Sequence, residues 1–393
     1  MDAIPTDVAS TDWNATAPAR RIPPRREPPD RDLSLPAFLR SIRDNGLLGF
    51  PKATFEEPVT RRSLLGRSSY VLSDPDAVRR VLVDNQANYA RTVGTLRILR
   101  PILGDGLLIS EGAAWRHQRR ALAPAFTPRA IDGLMPHIDH AVRDGIAALR
   151  PRAAAGPLDL FAAFHALALE IAGRSMFSVG MDRHGPALRA FITSYSARIG
   201  RPHVFDVLMP PGWPAPLDFA RARFRRRWIP FLDTVIAARA AQPTDGRGDL
   251  LDLLAASRHP ETGAPFTQAE LRDQVSTMIL AGHETTAGTL FWASYLLALY
   301  PDIQERVAAE ARGADLTDPT GCHADGRLPF TRAVIDETLR LYPAAFTVVR
   351  RAVGPDTVAG HAVRAGDILM VSPWVLHRHR RLWAEPDAFD PAR

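Results

Sequence analysis

The chain has 393 residues, of which 46% are apolar and 23% are charged, a globular composition that excludes a disordered or fibrous protein. Its net charge of +6 comes from arginine, since Lys52 is the only lysine, and no motif for nucleic acid accompanies that charge. A nucleic acid is therefore not an expected partner. The single cysteine, Cys322, excludes an internal disulfide and cysteine-rich metal sites.

Residues 1–34 are rich in proline and arginine, which predicts an extended arm before a folded domain of residues 35–393. The arm has no apolar segment of the kind found in signal peptides. The longest apolar run, at 289–300, is well short of the ~20 residues that a helix needs to span a bilayer. We therefore expect a cytoplasmic protein with no membrane anchor.

Helix signals dominate the rest of the chain. Residues 73–75 (Ser-Asp-Pro) indicate a helix start, and Thr267 with Glu270 forms a capping-box pattern at the start of the longest periodic segment. The predicted helices are 35–44, 75–83, 113–121, 129–149, 158–177, a pair flanking 203–219, 267–300, 301–312 and 330–341. Residues 90–112 are expected to form a loop, the prolines keep 203–219 out of any regular helix, and short strands are expected at 68–72 and within 346–372. The fold class is mainly α with a minor β-sheet.

Residues 281–286, Ala-Gly-His-Glu-Thr-Thr, place polar side chains in the middle of the long apolar helix. Glycine there costs about 0.5–1 kcal/mol relative to alanine, threonine can bend a helix, and a buried Glu284 needs a partner. The motif favours a site where something flat or bulky approaches the backbone, although a polar face along a solvent gap is an alternative. A zinc protease helix of the type His-Glu-x-x-His is excluded, because residue 287 is alanine.

Glu337 and Arg340 stand three residues apart on one face of the predicted helix 330–341. Such a pair is usually a solvated salt bridge of little energetic value. Here the apolar neighbours favour burial, and a buried guanidinium needs more acceptors than one carboxylate supplies.

The two motifs, in this order, resemble those of the cytochrome P-450 family of haem-thiolate monooxygenases, in their soluble bacterial form. Three further stretches are similar to the family's sequence: 73–89 to its first strand and helix, 103–120 to the segment with its Trp-x-x-x-Arg helix, and 376–393 to the approach to its cysteine loop. The resemblance runs from about residue 40 to residue 393. It implies the P-450 fold, with a long central helix, and an oxidoreductase that inserts one atom of dioxygen into a hydrophobic substrate.

The resemblance also implies roles for individual residues. Glu284 and Thr285 match the family's acid–alcohol pair, in which the hydroxyl holds an ordered water that delivers protons to dioxygen. Ala281 and Gly282 match positions where the helix lies over the porphyrin face of haem b. The residues that match propionate ligands are Trp115, Arg119 and Arg350. The residues that match a structural charge triad are Glu337, Arg340 and Arg393.

The resemblance further implies a hydrophobic small-molecule substrate. The apolar residues that the implied pocket stretches contribute are Leu107, Leu108, Ile109, Val204, Phe205, Leu208, Met209 and Phe346, each of which could instead be ordinary core. Since the chain has no flavin or iron–sulfur motif, electrons are expected from a ferredoxin or flavodoxin-type donor with its reductase. The basic residues that resemble the face for an acidic donor are Arg116, Arg119, Arg120 and Arg129.

The sequence departs from the family pattern at the iron ligand. In the family, a cysteine thiolate on a loop after a Pro-x-x-Arg-Phe-like segment binds the iron and favours O–O cleavage. Cys322 precedes the Glu-x-x-Arg helix and does not match that position, so no metal ligand is predicted and we expect a C-terminal truncation before the cysteine loop. The chain by itself is then expected to be inactive. A haem-free remnant or a hydrophobic-ligand-binding protein is the alternative.

Overall fold

The computed structural model describes residues 21–64, 67–177, 184–209, 212–241, 249–259, 263–316 and 326–393. The helices in this part of the chain are α1 (Leu35–Asp44), α2 (Pro75–Arg79), α3 (Val93–Leu103), α4 (Gly112–Leu122), α5 (Pro128–Ala155), α6 (Leu160–Phe177), α7 (Gly185–Ser194), α8 (Val204–Leu208), α9 (Asp218–Ala240), α10 (Leu250–Ala256), α11 (Gln268–Leu299), α12 (Pro301–Gly313), α13 (Pro329–Leu341) and α14 (Pro373–Leu376). The strands are β1 (Val59–Leu64), β2 (Arg67–Leu72), β3 (Tyr89–Ala90), β4 (Val348–Ala352), β5 (Asp356–Val358), β6 (His361–Val363) and β7 (Ile368–Val371). The expected class, mainly α with a minor sheet, is confirmed.

Five strands form a mixed sheet in the order β1-β2-β7-β4-β3. Only β2 and β7 are parallel neighbours, and the other three pairs are antiparallel. The sheet therefore joins the N-terminal third of the chain to its C-terminal end. Strands β5 and β6 form a separate hairpin.

The long central helix is confirmed as α11, with 32 residues and a length of about 48 Å. Both hydrogen bonds of its N-terminal capping box are present. Thr267 Oγ1 accepts from the amide of Glu270, and the Glu270 carboxylate accepts from the amide of Thr267 at 2.9 Å. These reciprocal bonds satisfy amides that would otherwise lack a partner in the first turn.

Two predictions for the first two thirds of the chain were wrong. Residues 90–112 are not a loop throughout, because α3 occupies their centre; Thr92 caps it by accepting from the amide of Thr95, and apolar residues of its inner face join the core. Within 203–219, Val204–Leu208 contain no proline and form the one-turn helix α8. Helix α10 and strand β1 were not predicted.

The main core lies between α3, α6, α7, α9, α10 and α11. Trp228 of α9 is 1% exposed at its centre, and its indole N–H lies 2.9 Å from the carbonyl oxygen of Ile102 and 3.1 Å from Ser276 Oγ. One buried side chain thus ties α9 to both α3 and α11, because a buried indole N–H needs an acceptor.

Residues 21–34 precede α1 without regular secondary structure and contact the C-terminal part of the chain. Arg21 forms an ion pair with Asp302 and Arg25 with Asp387. Among the described residues, no helix is both long and apolar enough to cross a membrane.

Candidate functional site

The middle of α11 has an open face. Ala281, Gly282, Thr285 and Thr286 are exposed there, although the helix is largely enclosed on either side. In the part of the chain that the structure describes, a methyl group added to Gly282 would meet no atom within 4 Å beyond the adjoining residues and backbone of its own helix. The small residues of the motif therefore leave space beside the helix backbone, as expected for a site that admits a bulky group.

The acid and the alcohol of the motif make different bonds. Thr285 Oγ1 donates to the carbonyl oxygen of Ala281, one turn earlier, at 2.5 Å. Glu284 is half-buried, and its Oε1 accepts a hydrogen bond of 2.5 Å from Ser196 Oγ. Ser196 lies in a single π-helical turn, Tyr195–Ile199, that follows α7, and sequence analysis did not single it out. Such turns often occur at functional sites.

His283 fixes this part of α11 against α6. It is 3% exposed, and its Nε2 lies 3.0 Å from the carbonyl oxygen of His165 and 3.3 Å from His165 Nδ1. Since a carbonyl can only accept, Nε2 carries the proton, and Nδ1 is buried with no partner in the described part of the chain. Burial, and then the neighbouring His165, lowers the pKa of His283 to about 4. The imidazole is therefore neutral at pH 7.

The loop before α4 is attached directly to α11. The amide of Leu107 donates to Gln274 Oε1 at 3.1 Å, and that of Asp105 donates to an oxygen of Asp273 at 2.8 Å. Gly106 permits this approach, since a Cβ at that position would lie 2.6 Å from the backbone oxygen of Asp273. The loop is thus anchored about two turns before the open face of α11.

Two arginines, Arg91 and Arg350, are coupled by their charge, and Arg91 contacts this loop. Arg91 donates to the carbonyl oxygen of Leu108 and contacts Glu111, the N-cap residue of α4. Burial lowers the pKa of Arg350, and the positive charge of Arg91 lowers it further, so the two guanidinium groups repel each other. An anion placed between them would relieve that repulsion. Sequence analysis had singled out Arg350 but not Arg91.

Trp115 and Arg119 lie four residues apart on α4 and thus on one side of that helix. Trp115 is half-buried and Arg119 is exposed. Within the described residues, neither side chain has a hydrogen-bonding partner. Both keep their N–H donors free for a ligand.

The Glu337–Arg340 pair is buried, with each residue 5% exposed. Arg340 donates two bonds of 2.6 and 2.7 Å to the Glu337 carboxylate, and three of 2.7 Å to the carbonyl oxygens of His377, Pro386 and Ala388. All five guanidinium N–H groups are therefore used. Arg393 Nε lies 3.5 Å from Glu337 Oε1, so the three charged residues are in contact.

The residues singled out for substrate have different environments. Leu107 is half-buried, Leu108 is 44% exposed and Phe346 is 40% exposed, whereas Ile109 is 3% exposed inside the main core. Ile109 therefore agrees with the alternative given above, that it is an ordinary core residue. Cys322 and the side chain of Leu208 lie outside the described residues.

A family model described as cytochrome P-450 matches residues 50–393. Cyclooctat-9-en-7-ol 5-monooxygenase of Streptomyces melanosporofaciens is 32% identical over 339 residues, which cover 83% of this chain and 70% of that protein. Thromboxane-A synthase of Rattus norvegicus is 28% identical over 379 residues, which cover 84% of this chain and 70% of that protein. A crystal structure of a cytochrome P-450 (CYP102L1) superposes with a TM-score of 0.74 at 24% identity, covering 94% of this chain and 83% of that one.

A fold built around one long helix, with a small mixed sheet, is thus the fold of a known class of haem enzymes. The chain belongs to the cytochrome P-450 family. By family it is a monooxygenase, an oxidoreductase that acts on paired donors with incorporation of molecular oxygen, and its cofactor is haem.

Two features of this chain fit haem. The open face of α11 beside Gly282 can accept a flat macrocycle, because among the described residues no side chain comes within 4 Å of a Cβ added at Gly282. Haem also carries two propionate carboxylates, and the cations Arg91 and Arg350 are half-buried and close enough to repel each other. The donor set is therefore suited to a ligand that is flat and apolar in its body and anionic at its edge.

Proposed function

We propose that the site holds haem against the centre of α11 and serves the insertion of one atom of dioxygen into a hydrophobic organic substrate, a reaction that also needs a thiolate ligand to the iron. The haem supplies the activation of dioxygen when it is bound. The observation that carries the proposal is the motif at 281–286, where an open face of small residues adjoins an acid with an anchored carboxylate.

Glu284 and Thr285 are the proposed proton-handling residues. Because the Thr285 hydroxyl hydrogen is donated to Ala281, its oxygen lone pairs face outward as acceptors. A water bonded there would donate one hydrogen to Thr285 and direct the other into the open face. Glu284 is the acid that resupplies the proton, and Ser196 holds its carboxylate in place.

Four donors are proposed to bind the propionates. Trp115 and Arg119 would approach from α4, and Arg350 from β4. Arg91 is added to the set on the strength of its charge coupling to Arg350. Guanidinium and indole N–H groups both suit a carboxylate acceptor. The Glu337–Arg340–Arg393 cluster is proposed to be structural, since its groups bond to one another and to backbone.

The substrate is proposed to be a hydrophobic small molecule that contacts Leu107, Leu108 and Phe346. The first two are on the loop anchored to α11. The enzyme of Streptomyces melanosporofaciens is named for cyclooctat-9-en-7-ol, which is therefore a reasonable first compound to test.

Electrons are proposed to come from a separate ferredoxin or flavodoxin-type protein with its reductase. Four arginines of the region from α4 to the start of α5 are exposed, which suits an acidic donor: Arg116, Arg119, Arg120 and Arg129. The rate of electron transfer should then fall as the salt concentration rises.

Haem titration of the 393-residue polypeptide tests the proposal. We expect at most weak haem binding, without a thiolate signature and without turnover, because the only thiol in this sequence, Cys322, does not match the family's ligand position. Arg350→Ala should weaken haem binding about tenfold or more, as expected for a charged hydrogen bond. Arg150→Ala, which removes an exposed arginine of α5, is the matched control.

No haem binding by the folded polypeptide would refute the site, and would favour the alternative of a hydrophobic-ligand-binding protein. Equal losses in the Arg350 and Arg150 variants would refute the proposed propionate contact. A stable thiolate-type spectrum would refute the expectation that Cys322 is not the iron ligand.

A further inference from the structure

An open groove of about 480 Å³ lies between α7 and α9. Four side chains of each helix line it: Ala187, Ala190, Phe191 and Ser194 from α7, and Ala220, Arg223, Phe224 and Arg227 from α9. In both helices these are positions i, i+3, i+4 and i+7, which lie on one face of a helix. The groove therefore follows about two turns of each helix and has the outline of a seat for a third helix.

The floor of the groove is apolar and is part of the folded core. The rings of Phe191 and Phe224 meet edge to face with their centres 5.8 Å apart, and Phe224 is 8% exposed. The buried Trp228 ring lies 5.4 Å from that of Phe191. The walls are made of small, exposed side chains such as Ala187 and Ala190. Small walls over a fixed floor allow another backbone to approach closely.

Positive charge lines the groove on the side of α9. Arg223 and Arg227 are exposed and stand four residues apart, a spacing at which like charges repel each other. In the part of the chain that the structure describes, neither of them pairs with a carboxylate. The sequence has no aspartate or glutamate at 183–205 or at 219–232. Asp218, at the start of α9, is directed to the buried Arg221, 3.3 Å away. The groove therefore lacks counter-charges of its own.

This combination fits a helix better than it fits a small molecule or a nucleic acid. Six of the eight lining side chains are exposed, whereas a small-molecule pocket encloses most of its ligand. A phosphate backbone would use the arginines and leave the phenylalanine floor without a partner. A helix with an apolar stripe and acidic residues beside it would use both, because its side chains repeat at the spacing of the groove.

We propose that the groove between α7 and α9 is a docking site for an acidic amphipathic helix of a partner protein. Apolar side chains of that helix contact Ala190, Phe191 and Phe224, and carboxylates beside them pair with Arg223 and Arg227. The site is separate from the arginines of α4 that are proposed for the electron donor. The inference does not depend on the haem site.

Peptide binding to the 393-residue polypeptide, followed by fluorescence anisotropy, tests the site. The probe is a fluorescein-labelled peptide of about 20 residues, long enough to form a helix, with leucines at alternating spacings of three and four and glutamates beside them. A second peptide has the same composition in scrambled order, and a third has lysine in place of glutamate. We expect saturable binding of the first peptide only, with weaker binding as salt is added.

Two variants test the charge and the shape of the groove separately. Arg223→Glu with Arg227→Glu should lower the affinity for the glutamate peptide about tenfold or more, because two ion pairs become repulsive contacts, and should allow the lysine peptide to bind. Ala190→Leu places a larger side chain in the groove and should lower the affinity about tenfold without changing its charge.

The controls carry the same substitutions elsewhere on the surface. Arg116→Glu with Arg120→Glu changes two exposed arginines four residues apart on α4, and Ala154→Leu enlarges an exposed side chain of α5. Both controls should bind the glutamate peptide as the native chain does, and far-UV circular dichroism should show all variants folded.

Three results would overturn the proposal. Native protein that does not bind the glutamate peptide would show that the groove does not accept such a helix. Equal binding of the scrambled peptide would show attraction by charge alone. Controls that lose as much affinity as the groove variants, or an Ala190 variant with unchanged affinity, would place the binding elsewhere.

Discussion

Removal of the Arg340 side chain should cost this protein more stability than any surface charge. Arg340→Ala leaves the Glu337 carboxylate, which is 5% exposed, without its two bonds of 2.6 and 2.7 Å. It also removes the donor for three backbone carbonyls. Breaking a buried ion pair by removing one partner costs about 3–5 kcal/mol, because the remaining charge is uncompensated.

The same helix provides the control. Arg332 lies 3.8 Å from Asp336, and the two side chains are 74% and 68% exposed. Arg332→Ala should therefore change the free energy of unfolding by less than about 0.5 kcal/mol. Urea unfolding followed by far-UV circular dichroism measures both variants. Arg340→Lys keeps the charge but not the five-donor geometry, so it should lie between them and can be measured if Arg340→Ala does not fold. Equal losses for Arg340→Ala and Arg332→Ala would refute the reasoning.

Two further predictions concern α11 and its neighbours. Gly106→Ala should lower the free energy of unfolding by about 1–3 kcal/mol, because its Cβ would clash with Thr277 and Asp273. Gly282→Ala should raise the free energy of unfolding by about 0.5–1 kcal/mol, because in the described residues its Cβ meets no atom within 4 Å beyond its own helix. Losses in both variants would contradict the packing. His283 has a pKa near 4, below its ordinary value near 6.5, so its neutral form stabilises the fold above pH 6.5, and about 3 kcal/mol should be lost as the pH falls through 4. His283→Asn should remove that part of the pH dependence in urea unfolding, whereas an unchanged slope would assign it to other groups.

The proposed proton path depends on two hydrogen bonds that join α11 to residues far away in the sequence. Ser196 bonds to Glu284, 88 residues further along, and His165 receives the N–H of His283, 118 residues further along. Helix α6 and the turn after α7 thus both hold the same turn of α11. Variants at Ser196 are expected to change how Glu284 is held without altering Thr285, whose own bond is local.

Local signals predicted most of the helices. The capping box joins Thr267 to Glu270, three residues later. The periodicity of α11 likewise depends on residues that are three or four positions apart. The loop predicted for 90–112 was wrong, although this segment contains four glycines, a residue type that commonly marks turns. Gly94 instead lies within the first turn of α3, and Gly106 serves a close approach to α11. A glycine pattern by itself does not distinguish a turn from a packing contact, because both need the absence of a side chain.

The sequence by itself determined the long helix, its cap, the motif at 281–286 and the Glu337–Arg340 spacing. Each of these depends on residues within one or two turns, where backbone geometry places the side chains. Only the tertiary structure decided that Ser196 holds Glu284, that the charge of Arg91 acts on Arg350 and that Phe219 lies outside the core. These pairings and exposures depend on how whole helices pack, and the free energy of that packing is shared among many residues.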